Sequence, residues 1–61
     1  MSPKQIATLR EELGLTQEKF AEAIGTHRVT VARWETGFAR PTGAALKNLR
    51  ELAAKAKKKR Q

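Results

Sequence analysis

The sequence has no cysteine, no tyrosine and no aspartate, and its one histidine is His27. The absence of cysteine excludes disulfide bonds, and a lone histidine without further ligands does not form an ordinary zinc site. No pair of side chains has the spacing expected for acid–base or nucleophilic catalysis. We therefore expect no bound metal, no cofactor and no enzymatic activity.

Long apolar runs are absent as well. No segment approaches the length of about 20 apolar residues that crosses a membrane, and the start of the chain lacks the hydrophobic region of a signal peptide. A chain of 61 residues can form one domain with one small core, which capped helices must stabilise. We expect a cytoplasmic protein without a membrane partner.

Basic side chains are concentrated in the second part of the chain. Residues 1–25 contain three basic and four acidic side chains, whereas residues 26–50 contain five basic side chains and one acidic one. Five more basic side chains lie in residues 55–61. This distribution favours a polyanion, such as double-stranded DNA, as the partner. An anionic membrane surface would account for the tail but not for the basic residues before it.

Capping residues and glycines predict an all-α fold, a compact bundle of four, or five, short helices. Ser2 and Gln5 form a capping box at the start of the first helix, Thr16 caps the second helix and Thr42 caps the fourth. The predicted helices are residues 1–13, 17–24, about 26–36, and a helix after Thr42 that frays into the basic tail. The chain is divided into a domain, 1–54, and a basic tail, 55–61.

Apolar residues at helical spacing indicate the core. The predicted core positions are Ile6, Leu9, Leu13, Phe20, Ala21, Ile24, Val31, Trp34, Ala45, Leu46, Leu49, Leu52 and Ala53. Arg10 lies beside this set on the first helix, so its guanidinium needs an acidic partner or a route to water.

Residues 17–35 have the pattern of a helix-turn-helix, whose second helix enters the major groove of DNA. Gly25 lies where the first of these helices should end. Val31 and Trp34 face the core from the second helix, which leaves its other positions facing outward. The outward positions predicted to contact base edges are Arg28, Val29, Thr30 and Arg33.

A further set of residues is predicted to contact the DNA backbone. Its members are Gln17, Thr26, His27, Arg40, Thr42 and Gly43. Gln17, Thr42 and Gly43 lie at helix N-termini, where N–H groups bind phosphate. Arg40 is the only charged residue of the loop after the third helix.

The segment LTQEKFAEAIGTHRVTVARWETG, followed by a loop and Arg-Pro, resembles the Cro/repressor (XRE-like) helix-turn-helix family of phage and bacterial regulators. The resemblance covers about residues 3–53. The matching positions are Leu15, Thr16, Gln17, Ala21, Gly25, Val31, Trp34, Glu35 and Gly37. The resemblance implies a fold like that of lambda repressor, in which the outward side of the third helix contacts the DNA bases.

The resemblance also implies individual roles. Gln17 matches a glutamine that contacts a phosphate, and Arg10 and Glu35 match a partly buried salt bridge. Two positions depart from the family pattern, because Thr26 replaces an apolar residue and His27 replaces the usual serine or threonine cap. Thr26 is the better cap by its chemistry, whereas His27 occupies the position of the cap in the family.

The function implied is sequence-specific binding of double-stranded DNA by a nucleoid-associated transcriptional regulator, most simply a repressor that acts as a dimer on an inverted repeat. One alternative is the antitoxin of a toxin–antitoxin operon, with Phe38 as the best candidate for contact with a toxin partner. Another is a helical interaction module, or a binder of RNA or membrane surfaces, that uses the basic tail.

Overall fold

The computed structural model describes residues 1–59, which form four α-helices and no strand. The helices are α1 (Pro3–Glu12), α2 (Gln17–Ile24), α3 (Arg28–Thr36) and α4 (Gly43–Lys59). The predicted all-α fold is confirmed, and within residues 1–59 it has no fifth helix. None of these four helices is long and apolar enough to span a bilayer.

The first two helices begin at the predicted caps. Gln5 N–H donates to Ser2 Oγ (3.1 Å) and Ser2 N–H donates to Gln5 Oε1 (2.8 Å), so the capping box is present. Lys19 N–H donates to Thr16 Oγ1 (3.1 Å). Each bond satisfies a group that has no partner within its helix. Local sequence therefore determines where these helices start.

The turn between α2 and α3 depends on Gly25. Its φ of 88° lies in the left-handed region that favours glycine. The N–H groups of Gly25 and Thr26 both donate to the carbonyl of Ala21, each at 2.9 Å. These bonds satisfy the end of α2 and turn the chain sharply into α3.

One hydrophobic core lies between the helices, and no polar or charged residue among the described ones is buried. Its buried members are Ile6, Leu9, Phe20, Ala21, Ile24, Val31, Trp34, Leu49 and Ala56. Eight of these nine were predicted from their spacing, and Ala56 was missed. Of the other predicted positions, Leu13, Ala45, Leu52 and Ala53 are partly buried against the core, and Leu46 is half-buried.

The fourth helix is longer than predicted. The sequence suggested fraying from residue 55, but α4 continues through Lys59 and Ala56 is only 6% exposed. Ala56 lies three residues after Ala53 and seven after Leu49, so it shares the apolar side of α4. Its burial explains why the helix stays regular there. The division into a domain, 1–54, and a basic tail stays a prediction, and residues 60 and 61 lie outside the described part.

Candidate nucleic-acid interface

The position of α3 is determined by its inner side. The helix packs against α1 and α2, and it buries Val31 (0% exposed) and Trp34 (4%) in the core. Residues three apart lie on the same side of a helix. The opposite side of α3 therefore faces solvent.

That opposite side carries three of the residues predicted to contact bases. Arg28, Val29 and Arg33 are all exposed, and we call these three the outer surface of α3. Val29 and Arg33 are four residues apart and are neighbours on the helix, whereas Arg28 lies about 140° around the axis from Arg33. Thr30 is half-buried, at the edge of this surface. The outer surface thus combines an apolar side chain with two cations.

An apolar and cationic surface suits the major groove. Guanine presents two acceptors there that arginine can bind in a bidentate manner, and thymine presents a methyl group. Val29 is 54% exposed, so its methyl groups are accessible to such a contact. Arg33 also lies over an aromatic ring, with its guanidinium carbon 5.7 Å from the centroid of Phe38.

The predicted pair of Arg10 and Glu35 is present, between α1 and α3. Arg10 Nε lies 2.7 Å from Glu35 Oε2, and Arg10 Nη2 donates to Glu35 Oε1 at 3.3 Å. Arg10 Nη1 also donates to the carbonyl of Leu15 (3.0 Å). The hydrogen bond to Glu35 raises the pKa of Arg10, whereas desolvation lowers it, and the net change is upward. The carboxylate of Glu35 thus stabilises the charged form of Arg10.

Gln17 joins the same group of side chains. Its Nε2 donates to Glu35 Oε1 at 3.2 Å, so the first residue of α2 is tied directly to the last turn of α3. Glu35 thereby accepts hydrogen bonds from both α1 and α2. This contact gives Gln17 a fixed orientation at a helix N-terminus, and its contact with a DNA phosphate stays a prediction.

The start of α3 resolves the choice between its two candidate caps. His27 has the extended backbone of an N-cap (φ −109°, ψ 152°), and its side chain makes no capping hydrogen bond. Thr26 is half-buried and belongs to the preceding turn. Of the two candidates that the sequence offered, His27 is therefore the N-cap of α3. The backbone contacts assigned to both residues stay predictions.

The remaining residues assigned to the DNA backbone follow α3. Arg40, Thr42 and Gly43 are all exposed. The carbonyl of Thr42 accepts hydrogen bonds from the N–H groups of Ala45 (2.9 Å) and Leu46 (3.4 Å). Helix α4 therefore begins at the predicted place. These residues are accessible at the loop between α3 and α4, and their contact with phosphate stays a prediction.

A family model described as helix-turn-helix matches residues 6–53. The match covers most of the chain and contains both α2 and α3. The chain belongs to the Cro/repressor-type helix-turn-helix family. The helix-turn-helix of this family is a DNA-binding element. Which residues of the outer surface of α3 contact DNA stays a prediction.

A second comparison concerns a much larger protein. The helix-turn-helix chain is similar to the type II methyltransferase M.SsoII of Shigella sonnei, with 49% identity in an alignment of 41 residues that covers 62% of this chain and 11% of that protein. The chain thus spans a small part of this relative. No solved structure matches the chain.

One residue that supports the helix-turn-helix was missed from the sequence. Asn48 on α4 donates through Nδ2 to the carbonyl of Ile24 at 2.9 Å. Ile24 is the last residue of α2, so this bond ties α4 to the turn before α3. The available signal was a short polar side chain on the otherwise apolar side of α4, between Ala45 and Leu52.

Proposed function

We propose that this helix-turn-helix protein binds double-stranded DNA in a sequence-specific manner and regulates transcription, most simply as a repressor that blocks a promoter. The observation that carries the proposal is the outer surface of α3, where Arg28, Val29 and Arg33 are exposed while Val31 and Trp34 hold the same helix in the core. A rigid helix with exposed cations and one exposed apolar side chain meets the requirements for contact with base edges.

Affinity and specificity would come from different residues. Contacts with phosphates supply affinity that falls with salt and does not depend on sequence. Gln17, Arg40 and the N-terminus of α4 are the proposed sources. A bidentate contact between arginine and guanine contributes about 1–3 kcal/mol of discrimination against the wrong base. Arg28 and Arg33 are the proposed sources of this specificity.

We further propose that two copies bind an inverted repeat. One small domain offers a limited interface for high specificity. Two recognition helices related by a two-fold axis contact half-sites about 10–10.5 base pairs apart. Footprinting at saturating protein tests this proposal, because protection of one unrepeated half-site would contradict it.

The proposal is tested by selection from a pool of random duplex DNA, followed by sequencing, at near-physiological salt. The wild-type chain should enrich a palindromic site. Arg28→Ala with Arg33→Ala should lose the enrichment but keep weak binding that falls steeply with salt.

A matched control removes the same charge from another surface. Lys47→Ala with Arg50→Ala changes two exposed cations of α4. This pair should weaken binding to all sequences and leave the enriched site unchanged. If both pairs of substitutions reduce enrichment equally, charge alone explains the binding and the proposed specificity fails.

A second candidate function, the antitoxin of a toxin–antitoxin operon, is supported by Phe38, which is 79% exposed. A partner that covers this ring would bury apolar surface that the chain itself leaves in water. The test is coexpression with the product of the neighbouring gene. Growth arrest by that product alone, relieved by the wild-type chain but not by Phe38→Ala, would favour this candidate.

According to the same proposal, the chain is a binding protein and not an enzyme. It acts at the nucleoid in the cytoplasm. The methyltransferase similarity covers 11% of that relative, so it gives no reason to assign methyl transfer to this chain. Among the described residues no group of three potential metal ligands is close enough to hold an ion. Incubation with a labelled methyl donor and DNA tests the proposal, and protein-dependent labelling would contradict it.

A further inference from the structure

In the described part of the chain, Phe38 is the most exposed large hydrophobic residue. It is 79% exposed, compared with 54% for Val29 and 41% for Met1. A phenylalanine with so much surface in water adds little to the core. If Phe38 has a role, that role lies in the groups near its ring and not in the stability of the core.

The end of α3 determines where the ring of Phe38 lies. Gly37 has a φ of 82°, and its N–H donates to the carbonyl of Trp34 (3.2 Å). The N–H of Phe38 donates to the carbonyl of Arg33 at 2.9 Å. This pair of bonds is the Schellman motif, in which the residue after glycine folds back onto the last turn of the helix. Phe38 is thereby brought next to Arg33 by backbone geometry.

The side chains of these two residues lie close together. The guanidinium carbon of Arg33 lies 5.7 Å from the ring centroid of Phe38, within the range of a cation–π interaction. An aromatic ring stacks on the flat face of a guanidinium, whereas the N–H donors of the guanidinium lie in its own plane. The Arg33 side chain donates no hydrogen bond to any described residue. Its donors therefore remain available to a ligand.

Arg28 provides an internal comparison. It lies on the same outer surface, but its side chain has no hydrogen bond, ion pair or ring contact with any residue in the described part. A free arginine side chain loses rotational freedom when it binds, and that loss weakens the contact. A side chain that is already ordered loses less. The Arg33 side chain should therefore lose less conformational entropy than the Arg28 side chain when it binds a base.

We infer that Phe38 is a positioning residue for Arg33, which orders the guanidinium for contact with one base pair of the target site. The inference rests on the proposed function, because it names the residue that sharpens one of the proposed base contacts. Phe38 itself need not touch DNA. Its loss should reduce discrimination at the base pair contacted by Arg33 and leave that of Arg28 unchanged.

The first test uses the free protein and needs no DNA. Nuclear magnetic resonance should show ring-current shifts and restricted motion for the Arg33 side chain in the wild type. Phe38→Ala and Phe38→Leu should remove both, whereas Phe38→Tyr should retain them. The side-chain signals of Arg28 should not respond to any of these changes. Arg33 signals that are the same in the wild type and Phe38→Ala would overturn the inference.

The second test measures discrimination on DNA. Arg33→Ala first identifies the base pair that Arg33 contacts in the enriched site. Phe38→Ala should reduce discrimination at that base pair by about two- to five-fold, the effect expected from an exposed cation–π contact. Phe38→Ala should have no further effect in the Arg33→Ala background. Phe38→Leu should behave like Phe38→Ala, and Phe38→Tyr like the wild type.

The outcomes separate this inference from the proposed function. If the wild type enriches a site and Phe38→Ala changes all its base pairs equally, or none, only the positioning role is overturned. If the wild type enriches no site, the proposed function fails and the role of Phe38 in base selection fails with it. Thermal unfolding of each variant serves as a check, because a purely structural role of Phe38 would lower stability in both arginine backgrounds.

Discussion

The two sides of α3 differ in how firmly the rest of the chain holds them. On the inner side, Val31 and Trp34 are buried, and Glu35 accepts hydrogen bonds from α1 and α2. On the outer side, the side chain of Arg28 has no polar or ring partner among the described residues, and Val29 is 54% exposed. The inner side therefore determines where the helix lies, while the outer side is available to a ligand. Substitutions on the two sides should change different properties.

The largest effect is expected from Trp34→Ala on the inner side. Truncation of a buried tryptophan costs about 3–5 kcal/mol. A domain of 61 residues has a total stability of only about 3–9 kcal/mol. We therefore expect the variant to be largely unfolded or to have a greatly reduced urea midpoint. Far-UV circular dichroism is the appropriate measurement, because Trp34 is the only tryptophan and its fluorescence is lost.

The matched control on the outer side is Val29→Ala. An exposed substitution of this kind changes stability by less than about 0.5 kcal/mol, so its urea midpoint should stay close to that of the wild type. Binding to the enriched DNA site should nevertheless weaken. If Val29→Ala destabilised the chain as much as Trp34→Ala, the distinction between the two sides would be wrong.

A smaller effect is expected from Glu35→Ala. This change leaves Arg10 without its carboxylate partner and removes the acceptor that holds Gln17. The side chains of Arg10 and Glu35 are 20% and 10% exposed, so solvent reduces the cost below that of a fully buried pair. We expect a loss of about 1–3 kcal/mol in the free energy of unfolding, measured by urea denaturation.

A double variant distinguishes the value of the pair from the cost of breaking it. Replacement of both charges by apolar side chains, Arg10→Leu with Glu35→Met, should recover most of the stability, because no unpaired charge remains. Gln17 would still lack its acceptor, so DNA affinity should recover less than stability. Recovery of neither property would show that the pair itself makes a large net contribution.

Much of the fold could be predicted because its signals are local. The caps Ser2 and Thr16 act on N–H groups three residues away, and Gly25 ends α2 through its own backbone conformation. The spacing of apolar residues identified the inner side of α3 in the same way. For that reason the exposure of the outer surface of α3 also followed from the sequence alone.

Two of the contacts that the sequence did not reveal join residues far apart in the chain. Asn48 and Ile24 are 24 positions apart, and Gln17 and Glu35 are 18 apart, so no local pattern connects them. Ala56 was missed for a different reason, because its lysine-rich surroundings masked its place on the apolar side of α4. The contact of Phe38 with Arg33 is local, but it requires the Schellman geometry and not only a glycine.

Apart from the Val29→Ala control, the smallest change in stability is expected at the N-termini of the two helices of the motif. Thr16 caps α2 with its side chain, whereas His27 provides no side-chain bond to α3. Because a serine side chain can accept an N–H from the first turn, His27→Ser should stabilise the chain by about 0.5–1 kcal/mol. Thr16→Ala should cost a similar amount, since it removes the existing bond to Lys19. Both are measured by urea denaturation, and equal midpoints for His27→Ser and the wild type would mean that the start of α3 is already satisfied without a side-chain cap.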